Sequence, residues 1–254
     1  MAYKKVFKHL EANVLPVVKE AADNEKRTLG KASGPRQQHF SRWWKFWRPR
    51  PDMMTKINTL SRYIVCGRVT KRPIFEFVQP LIRPNDSLQV FGFDDDYSFG
   101  ILQSYIHWTW FITRCSTLKS DWRYTPETVF NSFPWPQSPT EEQIRKVARA
   151  STDLRNLRHQ IMIKNSYSLR QLYRTLDHQG NNPLKDSHDN LDDAVRKAYG
   201  MKADDDILEY LFCLNQDVSS KESNNVEVLA PGLPAFITDR LPYLSDDCVQ
   251  MTKN

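Results

Sequence analysis

Glycine is scarce in this chain of 254 residues, with eight in all, no Gly-x-Gly anywhere and no two prolines adjacent. A glycine-rich first turn lets backbone approach a nucleotide-like cofactor closely, so a cradle of that kind is not expected. The four cysteines, Cys66, Cys115, Cys213 and Cys248, form no Cys-x-x-Cys pair, which argues against a zinc ribbon or a disulfide framework and for reduced thiols in the core. No apolar run approaches the ~18 residues of a membrane span, and the opening MAYKKVFKHLEANVLP lacks a signal-peptide core. Cytoplasmic residence, with no membrane partner, is the expectation. There is no internal repeat.

What is present is a composition of 40% hydrophobic and 12% aromatic residues, enough for a folded core. Charge is unevenly spread. Residues 1–125 carry 21 Lys+Arg against 11 Asp+Glu, whereas residues 126–254 carry 15 against 19. From His39 to Arg50 the basic half interleaves cations with large aromatics, in HFSRWWKFWRPR. Arg42, Trp44, Lys45, Arg48 and Arg50 are therefore candidate nucleic-acid contacts, the cations on phosphates and the ring on sugar or base. The same tryptophans would equally serve as core anchors covered by arginine stems. A second basic group, Arg62, Arg68, Lys71 and Arg72, surrounds a strand-like Arg62–Cys66 and a bend at Gly67. An arginine fork matches guanine O6 and N7, so Arg68 and Arg72 are candidate readers of base or phosphate.

From Arg68 onward, aromatic and β-branched residues broken by Pro, Asn-Asp and Asp-Asp-Asp read as short strands joined by turns. The triplet Asp94-Asp95-Asp96 ends a strand Leu88–Phe93. It is read as a polar turn that caps a helix over Tyr97–Trp108 rather than as a metal site, because adjacent carboxylates seldom converge on one hard cation. His107 falls beside that helix's apolar stripe and is read as structural. No catalytic residue, metal ligand or cofactor-binding residue is assigned.

Five phrases stand in order: Arg62–Ile64, Arg68–Phe75, Asp95–Ser104, Tyr124–Phe130 and Phe133–Pro136. Together they resemble the target-recognition part that follows the catalytic domain in large DNA methyltransferases of the type IIG restriction-modification kind. The resemblance runs from about Tyr3 to Asn215. It implies a recognition role in adenine-specific methylation, with S-adenosylmethionine as cofactor of a catalytic domain supplied elsewhere. Amino methylation in that family uses an Asn/Asp-Pro-Pro-aromatic tetrapeptide around the flipped base, and Phe133-Pro134-Trp135-Pro136 lacks both its acceptor and its paired prolines. The resemblance further implies a longer polypeptide, so a truncated gene, a separately encoded subunit or a fragment is expected.

After FPWPQ the pattern turns helical. Thr140 with Gln143 forms a capping-box signature, and Ile144, Val147, Ala148, Ser151, Leu154, Leu157 and Ile161 trace one face of a long helix flanked by Arg145, Arg149, Arg155 and Arg158. Those arginines are read as solvated or phosphate-facing. Helices follow at about Ser168–Leu176, His188–Tyr199 and Asp205–Asn215. Ser219–Glu227 reads as a flexible linker.

The expected architecture is a mixed α+β recognition domain over residues 1–140, a mainly helical region over 141–218, and a linker and tail over 219–254. The expected partners are double-stranded DNA and a methyltransferase catalytic domain or subunit. A stand-alone nucleic-acid- or protein-binding module is the alternative. A nuclease built on Asp94–Asp96 is a further one.

Overall fold

In the computed structural model, which describes residues 3–30, 34–45, 47, 50–118 and 121–251, helices alone make up the first part of the chain. α1 (Lys4–Asn13) runs into α2 (Leu15–Leu29) through Val14, whose N–H donates to Leu10 O at 2.8 Å, and Pro16 occupies the first turn of α2 where no partner is needed. Gly30, at φ 59°, ends α2 in the left-handed conformation that glycine adopts without strain. α3 (Pro35–Phe40) has no capping side chain of its own. The Glu25 carboxylate from α2 caps it instead, accepting from Arg36 N–H at 2.9 Å and Gln37 N–H at 3.1 Å. A Cβ at Gly34 would overlap that carboxylate. Residues 1–56 form one compact unit and residues 57–254 another, and the division falls within α4 (Pro51–Asn58).

The second unit holds every described strand. β1 (Tyr63–Gly67) lies between β3 (Glu76–Val78) and β4 (Leu88–Phe91) in an antiparallel sheet, with Ile64 opposite both Phe77 and Phe91. A smaller sheet has β6 (Asp121–Arg123) between β2 (Val69–Thr70) and β5 (Ser116–Leu118). Four consecutive buried residues from Tyr63 to Cys66 give β1 two covered faces, so it reads as a continuous apolar run rather than an alternation.

Two short helices replace the single helix expected over 97–108. α5 (Asp96–Gln103) is capped by Asp95, whose carboxylate accepts from Ser98 N–H at 2.7 Å. Ser104 then becomes extended and caps α6 (Tyr105–Arg114), so the chain turns before His107. The long α7 (Glu141–Asn165) begins at the expected capping box, with both reciprocal bonds made. It packs on α5 at Gly100, where a Cβ would stand 2.6 Å from Val147 Cγ1. α8 (Leu169–Arg174), α9 (Pro183–Tyr199) and α10 (Ile207–Ser223) complete the helical layer.

Packing is continuous across residue 140, since α5, α7 and α9 share one core containing Phe99, Ile144, Val147 and Leu191. The composition change there marks a switch of secondary structure inside one compact unit. The expected linker is mostly helix, because α10 extends to Ser223. The tail beyond it folds back: Tyr243 is fully buried, and Val249 bridges Val78 in parallel, donating to Phe77 O at 2.8 Å. Among the described residues no helix is long and apolar enough to cross a membrane.

Candidate nucleic-acid interface

The cationic residues singled out in the sequence separate into three environments. In the second unit, Arg68 follows the Gly67 bend with its backbone fixed on both sides: its N–H donates to Ser87 O at 2.8 Å and its carbonyl accepts from Tyr124 N–H at 2.7 Å. Thr70 shapes the next turn, its hydroxyl donating to Arg72 O at 2.6 Å. That turn leaves Lys71 exposed and Arg72 half-buried, with the Arg72 guanidinium 5.4 Å from the centre of the Trp108 ring. Immediately beyond, Phe75 is anchored through its N–H to Gln103 Oε1 at 3.0 Å and through its carbonyl to Arg158 Nη2 at 2.9 Å. Lys71 is therefore exposed on a braced loop, with Arg68 and Arg72 half-buried on the same stretch of chain. Arg123, which sequence reasoning passed over, is exposed and stands opposite Val69 in the small sheet. The signal for it was pairing, which composition does not carry.

Arg62 is not part of that surface. It is 2% exposed, its guanidinium stacks 3.6 Å from the Phe77 ring centre, and its donors are occupied by Asp94 O, Asp96 Oδ1, Ser245 Oγ and Asp247 at 2.8–3.1 Å. Arg155 and Arg158, read as solvated or phosphate-facing, are also buried. Arg155 reaches the same Asp96 at 2.5 Å and Asp247 at 2.6 Å, while Arg158 pairs with Glu76 and meets Tyr173 Oη at 3.4 Å. Burial is tolerable because each guanidinium has carboxylate partners and lies against the faces of Phe77, Phe99 or Tyr173. Burial alone would raise the Asp247 carboxyl, but its bonds to Arg155 and Ser245 and the charges of Arg155 and Arg62 hold it well below the ordinary carboxylate range.

The acidic triplet is likewise committed to structure. Asp94 pairs with Arg240 at 2.6 Å, Asp95 caps α5, and Asp96 lies between Arg62 and Arg155. Burial pushes Asp95 up to about 6, against the lowering effect of the Ser98 bonds. His107 is fully buried, with Nδ1 against Leu102 O at 2.8 Å and Nε2 against Tyr124 Oη at 3.0 Å, and desolvation drives its pKa down to about 4. It is a neutral structural imidazole at ordinary pH. Among the described residues no group of three His, Cys, Asp or Glu side chains converges as a metal site would.

The remaining candidates lie in the first unit. Arg42, Lys45 and Arg50 are exposed, and Trp44 is 49% exposed; Arg48 lies outside the described residues. Trp43 is the inward-facing neighbour, 5.5 Å from Phe7, and Trp44 stands edge-on to it. The tryptophans thus divide: Trp43 packs, while Trp44 and Trp47 are displayed.

Residues 63–137 match the family described as "MmeI, target recognition domain". DNA methyltransferase A of Bacillus subtilis (strain 168) is 31% identical over 134 residues, covering 49% of this chain and 14% of that protein. The solved structure of the type IIL restriction-modification enzyme MmeI in complex with DNA shares the fold, at a TM-score of 0.61 and 22% identity, covering 82% of this chain and 26% of that one. The chain thus spans a minor part of the length of the proteins it matches.

Proposed function

From the match of residues 63–137 to the MmeI target recognition domain, we propose that the chain docks on duplex DNA and reads part of a short target for a restriction-modification methyltransferase. The observation that carries this reading is the braced loop of Arg68, Lys71 and Arg72, which falls inside the family-matched residues and offers cations from a fixed backbone. Base readout requires such fixity, because a bidentate guanidinium contact discriminates only when its fork is held in register. The chemistry served is S-adenosylmethionine-dependent methylation of adenine. S-adenosylmethionine and the target adenine would be held by a catalytic domain or subunit elsewhere, since this chain has neither Gly-x-Gly nor Pro-Pro. The structural neighbour is a type IIL enzyme, which favours that subtype over the type IIG kind that the sequence phrases resemble.

The test is competition binding of the purified chain to a pool of duplexes with randomised positions, at fixed salt. Enrichment of a short motif, lost on Arg72→Ala but retained on substitution of a remote exposed cation such as Lys146→Ala, is the expected result. Equal retention of all sequences would defeat the reading. In parallel, labelled methyl transfer to DNA by this chain alone is expected to stay at background.

A further inference from the structure

The division of the chain into two compact units also divides its charge. Residues 1–56 contain 13 Lys+Arg and 5 Asp+Glu, a net of +8, while residues 57–254 contain 23 against 25. The whole positive excess therefore resides in a helical unit that lies outside the family-matched residues 63–137. That unit has little core to account for it: among its described residues only Ala22 and Gly34 are buried. Two of its three described tryptophans lie at the surface, Trp44 at 49% and Trp47 at 41% exposure. Trp47 is sandwiched by cationic and ring neighbours, stacked on His39 at 5.8 Å and 13°, with the Arg36 guanidinium 5.1 Å from its centre. Trp44 stands edge-on to Trp43, and Arg42 and Lys45, close to it in sequence, are both exposed.

Exposed indoles cost free energy in water, and a cluster of like charges repels itself, so neither feature helps a small unit fold. Both are favourable against a polyanion that also presents flat π-faces. Phosphates take the guanidinium and ammonium groups with release of counterions, and a sugar or base covers the indole. We propose that residues 1–56 form a second nucleic-acid-binding unit, independent of sequence, in which Arg42, Lys45 and Arg50 contact phosphates and Trp44 stacks on a base or sugar. The proposal goes beyond target reading and shares with it only the choice of nucleic acid as ligand. The unit would supply affinity and residence on DNA while the family-matched segment supplies discrimination.

The experiment measures affinity of the full chain for a random-sequence duplex and for a single strand of equal length, between 50 and 200 mM salt. The Arg42→Ala, Lys45→Ala, Arg50→Ala triple variant is expected to reduce the slope of log affinity against log salt on duplex by about 2.7, at ~0.9 per phosphate lost. The loss should be the same for every duplex sequence, leaving any preference among them unchanged. These side chains are exposed, and the described bonds at Arg42 and Lys45, such as Arg42 N–H to His39 O at 2.9 Å and His39 Nε2 with Lys45 O at 2.9 Å, use their main chain, so the fold should survive. Trp44→Ala should lose roughly five-fold or more in affinity without a change in slope. A larger loss on single strand identifies unpaired bases as the stacking partner, and an equal loss identifies the duplex sugar-phosphate edge. An unchanged slope in the triple variant, with circular dichroism showing intact helices, overturns the proposal, as does unchanged affinity in Trp44→Ala. If the wild-type chain shows no sequence preference at all, the target-reading function fails while this test still returns its own answer.

Discussion

At the scale of single residues, the consequential observation is that cations close together in sequence do opposite things. Arg62 lies against Phe77 with its donors filled by Asp94 O, Asp96, Ser245 and Asp247, whereas Lys71 a few residues on is exposed. Arg62→Ala leaves a buried carboxylate short of a partner, and about 3–5 kcal/mol of unfolding free energy should disappear in chemical denaturation. Lys71→Ala should leave stability within about 0.5 kcal/mol and act on DNA binding alone. Asp192 is another residue whose environment sets its behaviour. It accepts from Tyr105 N–H at 2.7 Å at the start of α6, and burial pushes its carboxyl up to about 7, assisted by Asp189 and Asp193. A carboxyl raised in the folded state stabilises below its unfolded pKa, and that contribution is lost as pH rises toward 7. Asp192→Asn keeps an acceptor for Tyr105 and removes the charge. It should melt higher than the parent above pH 7, with the difference closing toward pH 4; an equal gap at both ends would show that Asp192 does not titrate in this range.

At the scale of elements, the strand after the Lys71 turn depends on one helix from each of the two regions expected from sequence. α5 carries Gln103, which holds Phe75 N–H, and α7 carries Arg158, which holds the Phe75 carbonyl, so the loop displaying Lys71 and Arg72 is fixed from behind. The α5–α7 seam in turn depends on Gly100. Its missing side chain admits Val147, with Leu191 Cδ1 and Ser151 Cβ each 3.3 Å from where a Cβ would stand. Gly100→Ala gains up to about 1 kcal/mol of helix propensity but overpacks a closed seam, which costs about 1–3 kcal/mol. The net expectation is destabilisation, read as a lower melting temperature, with specific DNA binding reduced more than binding to random sequence. A melting temperature at or above the parent's would mean that the seam opens at little cost. The elements legible in sequence were those with local signatures: the capping box of α7, the Asp95 cap of α5, and α9 with its Gly200 stop. The break at Ser104 was not legible, because apolar spacing runs through it and only packing turns the chain there.

At the scale of the whole molecule, two compact units separate the excess positive charge from the family-matched segment. The boundary expected near residue 140 followed composition, but cohesion follows burial, and the shared core of Phe99, Val147 and Leu191 joins what composition divides. The tail belongs to this cohesion as well. Ser245 and Asp247 supply partners to Arg62 across separations of 183 and 185 residues. What the sequence by itself determined was the ordered set of family phrases, the capped starts of α5 and α7, and the lack of a glycine cradle or paired prolines. Each of these is written in residues close together along the chain. Which arginines face outward was decided only by the tertiary structure. A guanidinium among aromatics has the same local sequence whether it stacks on Phe77 inside the fold or waits for a phosphate outside it, and the carboxylates that settle the matter arrive from the far end of the chain.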